Sequence, residues 1–141
     1  MAEPTSPSSR RLTPPNVPNL ERQAELASTV VAQIGGAVGV RGSVESLATI
    51  VRPEERVVCA ATGFVDGRTC LILITSNRLL ILRGRSLLVD LDHKAISRFR
   101  ALTGVATHDL QLENAQGNVL VIKQVYPKAQ LDQLAKVLAG G

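Results

Sequence analysis

The stretch Leu71–Leu82, LILITSNRLLIL, decides the fold, because it holds two apolar runs separated by a polar pair. With their flanking residues, these runs are Thr69–Thr75 (TCLILIT) and Arg78–Arg83 (RLLILR). Both runs have the length and composition of strands, and Ser76-Asn77 between them is typical of a tight turn. The stretch therefore predicts two antiparallel strands joined by a hairpin turn.

Five further strands are predicted around this hairpin, each bounded by residues that favour turns. They are Arg56–Gly63, Ser86–Leu91, Ile96–Leu102, Asp109–Glu113 and Val119–Gln124. Asp66-Gly67 is the kind of two-residue turn that closes a tight hairpin, Gly84 marks another turn, and residues 115–118 (AQGN) supply the last one. Seven short strands with such connections predict an antiparallel barrel or sandwich.

The turns also predict how the strands pair. The first hairpin places Val65 opposite Arg68, Gly63 opposite Cys70, and Cys59 opposite Ile74. The two cysteines are then about 13 Å apart along the ladder. We expect no disulfide, because bridged Cα atoms lie within about 7 Å. The turn at residues 103–106 is expected to place Arg100 opposite Asp109, Arg98 opposite Gln111, and Phe99 opposite Leu110.

The last part of the sequence predicts an amphipathic helix over Lys128–Leu138. Pro127 stands at a favoured first helical position. One helical face carries Leu131, Leu134, Ala135 and Leu138. We expect this face to cover the open end of the barrel.

The N-terminal third divides into a tail and helices. Residues 1–19 are rich in Pro and Ser and are predicted to be disordered. Leu20–Ile34 is predicted to be a helix with Asn19 as its N-cap, and Val44–Val51 a second helix capped by Ser43. The expected apolar stripe of the first helix is Leu20, Ala24, Ala27, Val31 and Ile34. That stripe could pack on a neighbouring molecule or on its own barrel.

Composition narrows the classes of function. Aromatic residues make up 2% of the 141 residues, and the net charge of +4 comes from 16 basic and 12 acidic residues interspersed along the chain. Nucleic acid binding is not expected, since bases stack on aromatic rings and no helix carries a basic stripe. Cys59, Cys70, His93 and His108 lack metal-site spacing, so we expect neither a metal nor a cofactor. The longest uncharged run, Ser28–Val40, is too short to span a bilayer.

The sequence from Val51 to Leu138 resembles the bacterial pleckstrin-homology-like domains, particularly the kind typified by YokE. The resemblance rests on RPEERVVCAATG (residues 52–63), on the Thr75-Ser76-Asn77-Arg78 turn within LILITSNRLLIL, on DLDHKAISRF (residues 90–99), and on the closing strand and helix. It implies a seven-stranded antiparallel barrel of two near-orthogonal sheets, capped by a C-terminal helix. The implied organisation is a tail (1–19), a helical extension (20–51) and a pleckstrin-homology-like domain (52–141).

The sequence bears on three classes of function. We expect a non-catalytic module that mediates protein–protein interaction or self-association. The outer strand edges are one route to such contacts. An enzyme is not expected, because no nucleophile stands with a base. The alternative is weak binding of anionic lipid at a membrane surface.

The candidate contacts for a ligand or partner are basic residues in turns. They are Arg68, Arg83, Arg85 and Lys94. Lipid-binding pleckstrin-homology domains use basic residues around the first hairpin loop, whereas here that loop offers one Arg beside Asp66. Because the N-terminus lacks an apolar stretch, we expect a cytoplasmic protein, bacterial or phage-encoded, with peripheral membrane contact as the alternative.

Overall fold

The computed structural model describes residues 16–35, 39–103 and 108–140. Seven strands form its centre: β1 Val57–Val65, β2 Arg68–Thr75, β3 Arg78–Arg83, β4 Ser86–Asp92, β5 Ile96–Thr103, β6 His108–Asn114 and β7 Val119–Tyr126. Four α-helices flank them: α1 Asn16–Ile34, α2 Arg41–Glu45, α3 Leu47–Ile50 and α4 Lys128–Gly140. A short 3-10 helix, His93–Ala95, links β4 to β5.

All neighbouring strands are antiparallel, in the order β4-β3-β2-β1-β7-β6-β5. The sheet curls, so that the inner faces of its two halves share one core with α4. Leu131 and Leu134 of α4 are fully buried in that core, and Leu138 packs against it. The predicted strand count and the closing role of the C-terminal helix are therefore confirmed.

The first hairpin pairs as predicted. Val65 lies opposite Arg68, Gly63 opposite Cys70, and Cys59 opposite Ile74. Asp66 and Gly67 both have positive φ, 52° and 75°, which is the conformation of the two-residue turn that suits twisted strands. Cys59 and Cys70 are both buried free thiols.

The predicted register of β5 with β6 was wrong by two residues. Arg100 lies opposite Gln111, Arg98 opposite Glu113, and Phe99 opposite Leu112. The pairing reaches Thr103 and His108, so the connection is residues 104–107 and not residues 103–106 as predicted from the sequence. A shift of two leaves each side chain on its predicted face, and Phe99 still packs against the core.

Helix α1 packs on the outer face of the sheet of its own chain. Its buried side chains are Leu26, Val30 and Ile34, which meet Leu71, Leu73, Leu80 and Leu82 in a second core. The predicted stripe was therefore wrong in part, since Leu20 and Val31 are 68% and 42% exposed. Gln23 and Gln33 caused the error: both face the domain and bond to backbone atoms of Val44, Ala48 and Ala60.

The N-terminal boundaries also differ from the prediction. Helix α1 begins at Asn16, so the last four residues of the predicted tail belong to it, and residues 1–15 lie outside the described residues. The predicted helix at 44–51 is two short helices, α2 and α3, which break at Ser46. Ser43 is no N-cap: it lies inside α2, and its hydroxyl donates to the carbonyl of Gly84 at 2.6 Å.

Candidate functional site

Three of the four predicted contact residues lie together. Arg68 follows the β1–β2 turn, while Arg83 and Arg85 flank Gly84 in the β3–β4 turn. Since β1 to β4 alternate in direction, both turns lie at one end of the sheet. Helix α4 reaches the other end of β1, where Gln130 lies 3.0 Å from the Cys59 sulfur. We call Arg68, Arg83 and Arg85 the arginine end.

Lys94 does not belong to this group. It lies in the 3-10 helix after β4, where its backbone N–H donates to the Asp92 carboxylate at 3.0 Å. The adjacent His93 N–H donates to the carbonyl of Asn77 in the β2–β3 turn. The opposite end of the sheet therefore carries Lys94, so the structure does not bring this candidate together with the three arginines.

One acidic side chain, Glu45 of α2, partly neutralises the arginine end. Arg85 donates to Glu45 of α2 at 2.7 Å, and Arg41 reaches the same carboxylate at 3.1 Å. Arg68 and Arg83 have no ion pair with any residue that the structure describes. By strand alternation, both continue the inner-facing series that includes Cys70 and Ile72 of β2 and Ile81 of β3. Two arginines thus remain available to an anion at the mouth of the barrel.

A buried ionic network lies at the opposite end of the first half-sheet. The Glu55 carboxylate is fully buried, and it accepts hydrogen bonds from Arg78 Nε at 2.9 Å and from the Thr75 hydroxyl at 2.7 Å. The Arg78 guanidinium also donates to Asp90 at 2.8 Å and to the Ile50 carbonyl at 3.1 Å. The network therefore joins α3 and the loop before β1 to strands β3 and β4.

This network explains the Thr75-Ser76-Asn77-Arg78 sequence. The Thr75 hydroxyl accepts from the backbone N–H groups of Asn77 and Arg78 at 3.2 and 3.0 Å, which fixes the β2–β3 turn. Its donated bond then goes to Glu55. The residues that carried the resemblance thus hold the fold together, which makes this network structural.

Acid should destabilise the fold through Glu55. Hydrogen bonding from Arg78 lowers the pKa of Glu55 from 4.5 to about 2. A depressed pKa in the folded state means that the stabilisation is complete above pH 4.5 and is lost as the pH falls towards 2. Urea unfolding from pH 7 to pH 3 should therefore show falling stability, and the slope should flatten in Glu55→Gln. The exposed neighbour Glu54 provides the control, and an unchanged slope in Glu55→Gln would contradict the assignment.

The two cysteines are unsuited to nucleophilic chemistry. Burial raises the pKa of the Cys59 thiol from 9.0 to about 11, and it also raises the pKa of Cys70. Thiol reactivity follows the thiolate population. Among the residues that the structure describes, no three His, Cys, Asp or Glu side chains are grouped as metal ligands.

A thiol assay tests the burial of Cys59 and Cys70. With the pKa of Cys59 raised by about two units, its thiolate population near pH 8 falls about a hundredfold. Reaction of Cys59 with a disulfide reagent at pH 8 should accordingly be about a hundredfold slower in the folded chain than in urea. A folded rate within tenfold of the unfolded rate would contradict this picture.

Strand β4 is an open edge of the sheet, with β3 as its only partner among the strands that the structure describes. Leu87 and Leu88 are 39% and 38% exposed, and Val89 and Leu91 are only partly buried. A strand edge of this kind presents backbone N–H and C=O groups that no neighbour satisfies. We call Ser86–Asp92 the β4 edge.

The other open edge, β5, is protected. Its central residues Arg98 and Arg100 are exposed, and charged side chains on an edge discourage pairing with another chain. The sequence predicts both strands and allows pairing at their edges, but the turn residues do not show which edge is open. The sequence signal that distinguishes the two edges is composition: β4 contains the apolar run Leu87-Leu88-Val89, whereas β5 has arginines at alternate positions.

A second apolar patch lies on the outer face of the other half-sheet. Phe64, Val119 and Val121 are between 37% and 52% exposed there. Helices α1 to α3 cover β1 to β3, and nothing in the described chain covers this patch. A groove beside it is lined by the β1–β2 turn, Lys123 and Gln124.

Two solved structures share the architecture. The C-terminal domain of an unknown protein from Leishmania infantum superposes with a TM-score of 0.54 at 12% identity, covering 68% of this chain and 90% of that one. A DUF1696 family protein with a pleckstrin-homology domain from Shewanella loihica PV-4 gives a TM-score of 0.50 at 18% identity, covering 74% and 97%. The fold is pleckstrin-homology-like. Such identities establish the fold alone.

No family model matches the sequence, and no curated protein does. The narrower resemblance to YokE-like domains therefore stays a prediction. Within the described residues, no helix combines the length and the apolar character needed to cross a membrane.

Proposed function

We propose that this chain is a non-catalytic binding module whose ligand is a protein, bound as an added strand at the β4 edge. The observation that carries the proposal is the contrast between the two sheet edges. The exposed residues at the centre of β4 are leucines and its aspartates lie in the C-terminal half, where Asp90 pairs with Arg78, whereas β5 presents arginines at its centre. Proteins normally protect an edge strand unless another chain pairs with it.

Strand addition supplies both affinity and selectivity. The backbone of an incoming strand would complete the hydrogen bonding of β4, and its alternate side chains would meet Leu88 on one face and Val89 and Leu91 on the other. A leucine half exposed in the free protein contributes on the order of 1 kcal/mol when a partner covers it. Several such contacts support a specific but moderate affinity.

The position of helix α1 also favours the edge. Helix α1 buries Leu26, Val30 and Ile34 on its own sheet, so among its described side chains only Leu20 and Val31 remain as large exposed apolar groups. The β4 edge lies outside the area covered by α1, whose main sheet contacts are with β1. Protein binding is therefore better assigned to the strand than to the helix.

The non-catalytic part of the proposal rests on the thiols. Both are buried, and burial raises the pKa of each, so neither is a thiolate at neutral pH. The buried carboxylate with the lowered pKa, Glu55, is engaged by Arg78, Thr75 and the N–H of Arg52. Its hydrogen bonds explain the shift without any catalytic role.

Selection of displayed peptides tests the proposal. We expect 12-residue peptides with alternating apolar residues to be enriched on the immobilised full chain. Binding of the enriched peptides should be lost in Leu88→Glu, which puts a charge on the β4 edge. It should be retained in Val31→Glu, a control of similar exposure on α1. Failure to enrich any peptide, or equal binding to both variants, would refute strand addition.

The alternative function is binding of an anionic membrane surface at the arginine end. The observation that favours it is the pair Arg68 and Arg83, which lie at one end of the barrel without an acidic partner in the described chain. Each basic residue near an anionic surface contributes about 1 kcal/mol, so the expected binding is weak.

Vesicle co-sedimentation tests this alternative. With vesicles of 30–40% phosphatidylserine at low salt, about thirtyfold loss of binding is expected in the double variant Arg68→Ala/Arg83→Ala. Arg98→Ala is the control, since Arg98 lies on the β5 edge. Absence of binding by the unmodified chain would remove the alternative.

A further inference from the structure

We propose that the occupant of the β4 edge is a second copy of this chain, paired antiparallel through β4 about a two-fold axis. This inference rests on the proposed function and names its partner. The sheets of the two molecules would then join at β4 into one continuous antiparallel sheet. Each copy would contribute the same strand, which is the isologous arrangement of most homodimers.

The charge pattern of β4 points to its own antiparallel copy. Arg85 immediately precedes the strand at its N-terminal end, and Asp90 and Asp92 lie in its C-terminal half, where Asp90 also pairs with Arg78 of the same chain. Antiparallel self-pairing brings the basic end of one copy beside the acidic end of the other. Parallel pairing would instead oppose like charges, which is destabilising.

The register follows from the side chains that share a face. A perpendicular two-fold axis pairs outward residues with outward residues, and an axis through Leu88 or Val89, near the middle of Ser86–Asp92, pairs most of the strand. In either register, Arg85 of one copy lies within one residue position of Asp92 of the other. The strands would be about 4.8 Å apart, well within reach of an arginine side chain. The Asp90 carboxylates would be about 7–14 Å apart along the strand direction.

The edge also limits how strong the pairing can be. The register of β4 against β3 shifts between Ile81 and Leu82, and such an irregularity bends the strand near Leu87 and Leu88. The regular ladder is therefore Val89–Asp92, opposite Ile81 to Arg78 of β3. A short pairing of this kind falls among weak interfaces, with a dissociation constant on the order of 10–100 µM.

Sedimentation equilibrium of the full chain between 5 and 500 µM measures this association. The apparent mass should rise from 15.0 kDa towards twice that value. Leu88→Glu should stay at the monomer mass, while Val31→Glu should behave as the unmodified chain. A constant mass of 15.0 kDa, or equal association of the two variants, would overturn the inference.

Charge exchange tests the antiparallel arrangement. Arg85→Asp and Asp92→Arg, each alone, should weaken the dimer about tenfold, because each places like charges together. The double variant should regain most of the affinity, although it loses both the Arg85–Glu45 pair and the Asp92 turn contact. A double variant as weak as the single variants would overturn the antiparallel pairing.

Hydrogen exchange on the unmodified chain needs no variant. Raising the protein concentration should slow hydrogen exchange of the β4 amides and leave exchange in β5 unchanged; slowing elsewhere would overturn the inference.

The peptide selection described above separates the two proposals. A monomeric chain that still binds peptides through Leu88 overturns self-pairing and leaves strand addition standing. A monomeric chain that binds none overturns both.

Discussion

Replacing Arg78 by alanine is expected to lower the free energy of unfolding by about 3–5 kcal/mol. The reason is the carboxylate that remains: Glu55 is fully buried, and Arg78 supplies its only charge partner among the described ion pairs. Asp90 and the Ile50 carbonyl lose a donor as well. The loss is a large share of the 5–15 kcal/mol that stabilises a typical domain. Urea unfolding at pH 7 measures it.

Two further variants make the Arg78 experiment specific. Arg98→Ala removes an exposed arginine from β5 and should change stability by less than about 0.5 kcal/mol. The double variant Glu55→Leu/Arg78→Met removes both charges and should cost much less than Arg78→Ala, because no uncompensated charge stays buried. If Arg78→Ala lowered the free energy of unfolding by less than about 1 kcal/mol, the network would not hold α3 and the loop before β1 to strands β3 and β4.

Truncating Ile34 to alanine is expected to cost about 2–5 kcal/mol. Ile34 is 1% exposed and closes the second core between α1 and the outer face of β1 to β3. The cavity left by the missing atoms adds to the lost burial. Thermal unfolding followed by circular dichroism gives the change, with a single transition expected because α1 shares that core with the sheet.

The matched control for Ile34 is Val31 on the same helix. Val31 is 42% exposed, so Val31→Ala should change stability by less than about 1 kcal/mol. Equal effects of Ile34→Ala and Val31→Ala would mean that α1 does not pack on the sheet as described. A separate unfolding transition of α1 at lower temperature would also mean that α1 does not pack on the sheet as described.

The strands and first hairpin were predictable because local chemistry determines them. Asp66-Gly67 adopts the positive φ angles that its turn needs, and that turn sets every pair from Val65 to Cys59. The Thr75 hydroxyl likewise fixes the β2–β3 turn within four residues. In these places the decisive interactions join residues that are close in sequence.

Longer-range packing was harder to infer. The buried face of α1 includes Gln23 and Gln33, whose partners are backbone atoms far along the chain, so a count of apolar residues chose the wrong stripe. A clue was present in LILIT and RLLIL, which are apolar at successive positions. Such strands are buried on both faces, which requires a cover like α1.

The candidate site was predicted only in part. Arginines in turns at one end of a sheet could be grouped from strand direction, and Arg68, Arg83 and Arg85 do lie together. The ion pair that ties Arg85 to Glu45 depends on where α2 packs, and α2 was predicted with other boundaries. Which strand edge stays open depends on the order of all seven strands, which turn residues alone do not determine.

The most direct test of binding at the β4 edge is an amide chemical-shift titration of the full chain. The probe is a synthetic peptide with the sequence of residues 85–92, RSLLVDLD, and a scrambled peptide is the control. We predict saturable shifts at Ser86–Asp92 and in the adjoining β3, with none at Arg98 and Arg100 of β5. Shifts confined to the arginine end or to the Phe64–Val121 patch, or none at millimolar peptide, would contradict the account.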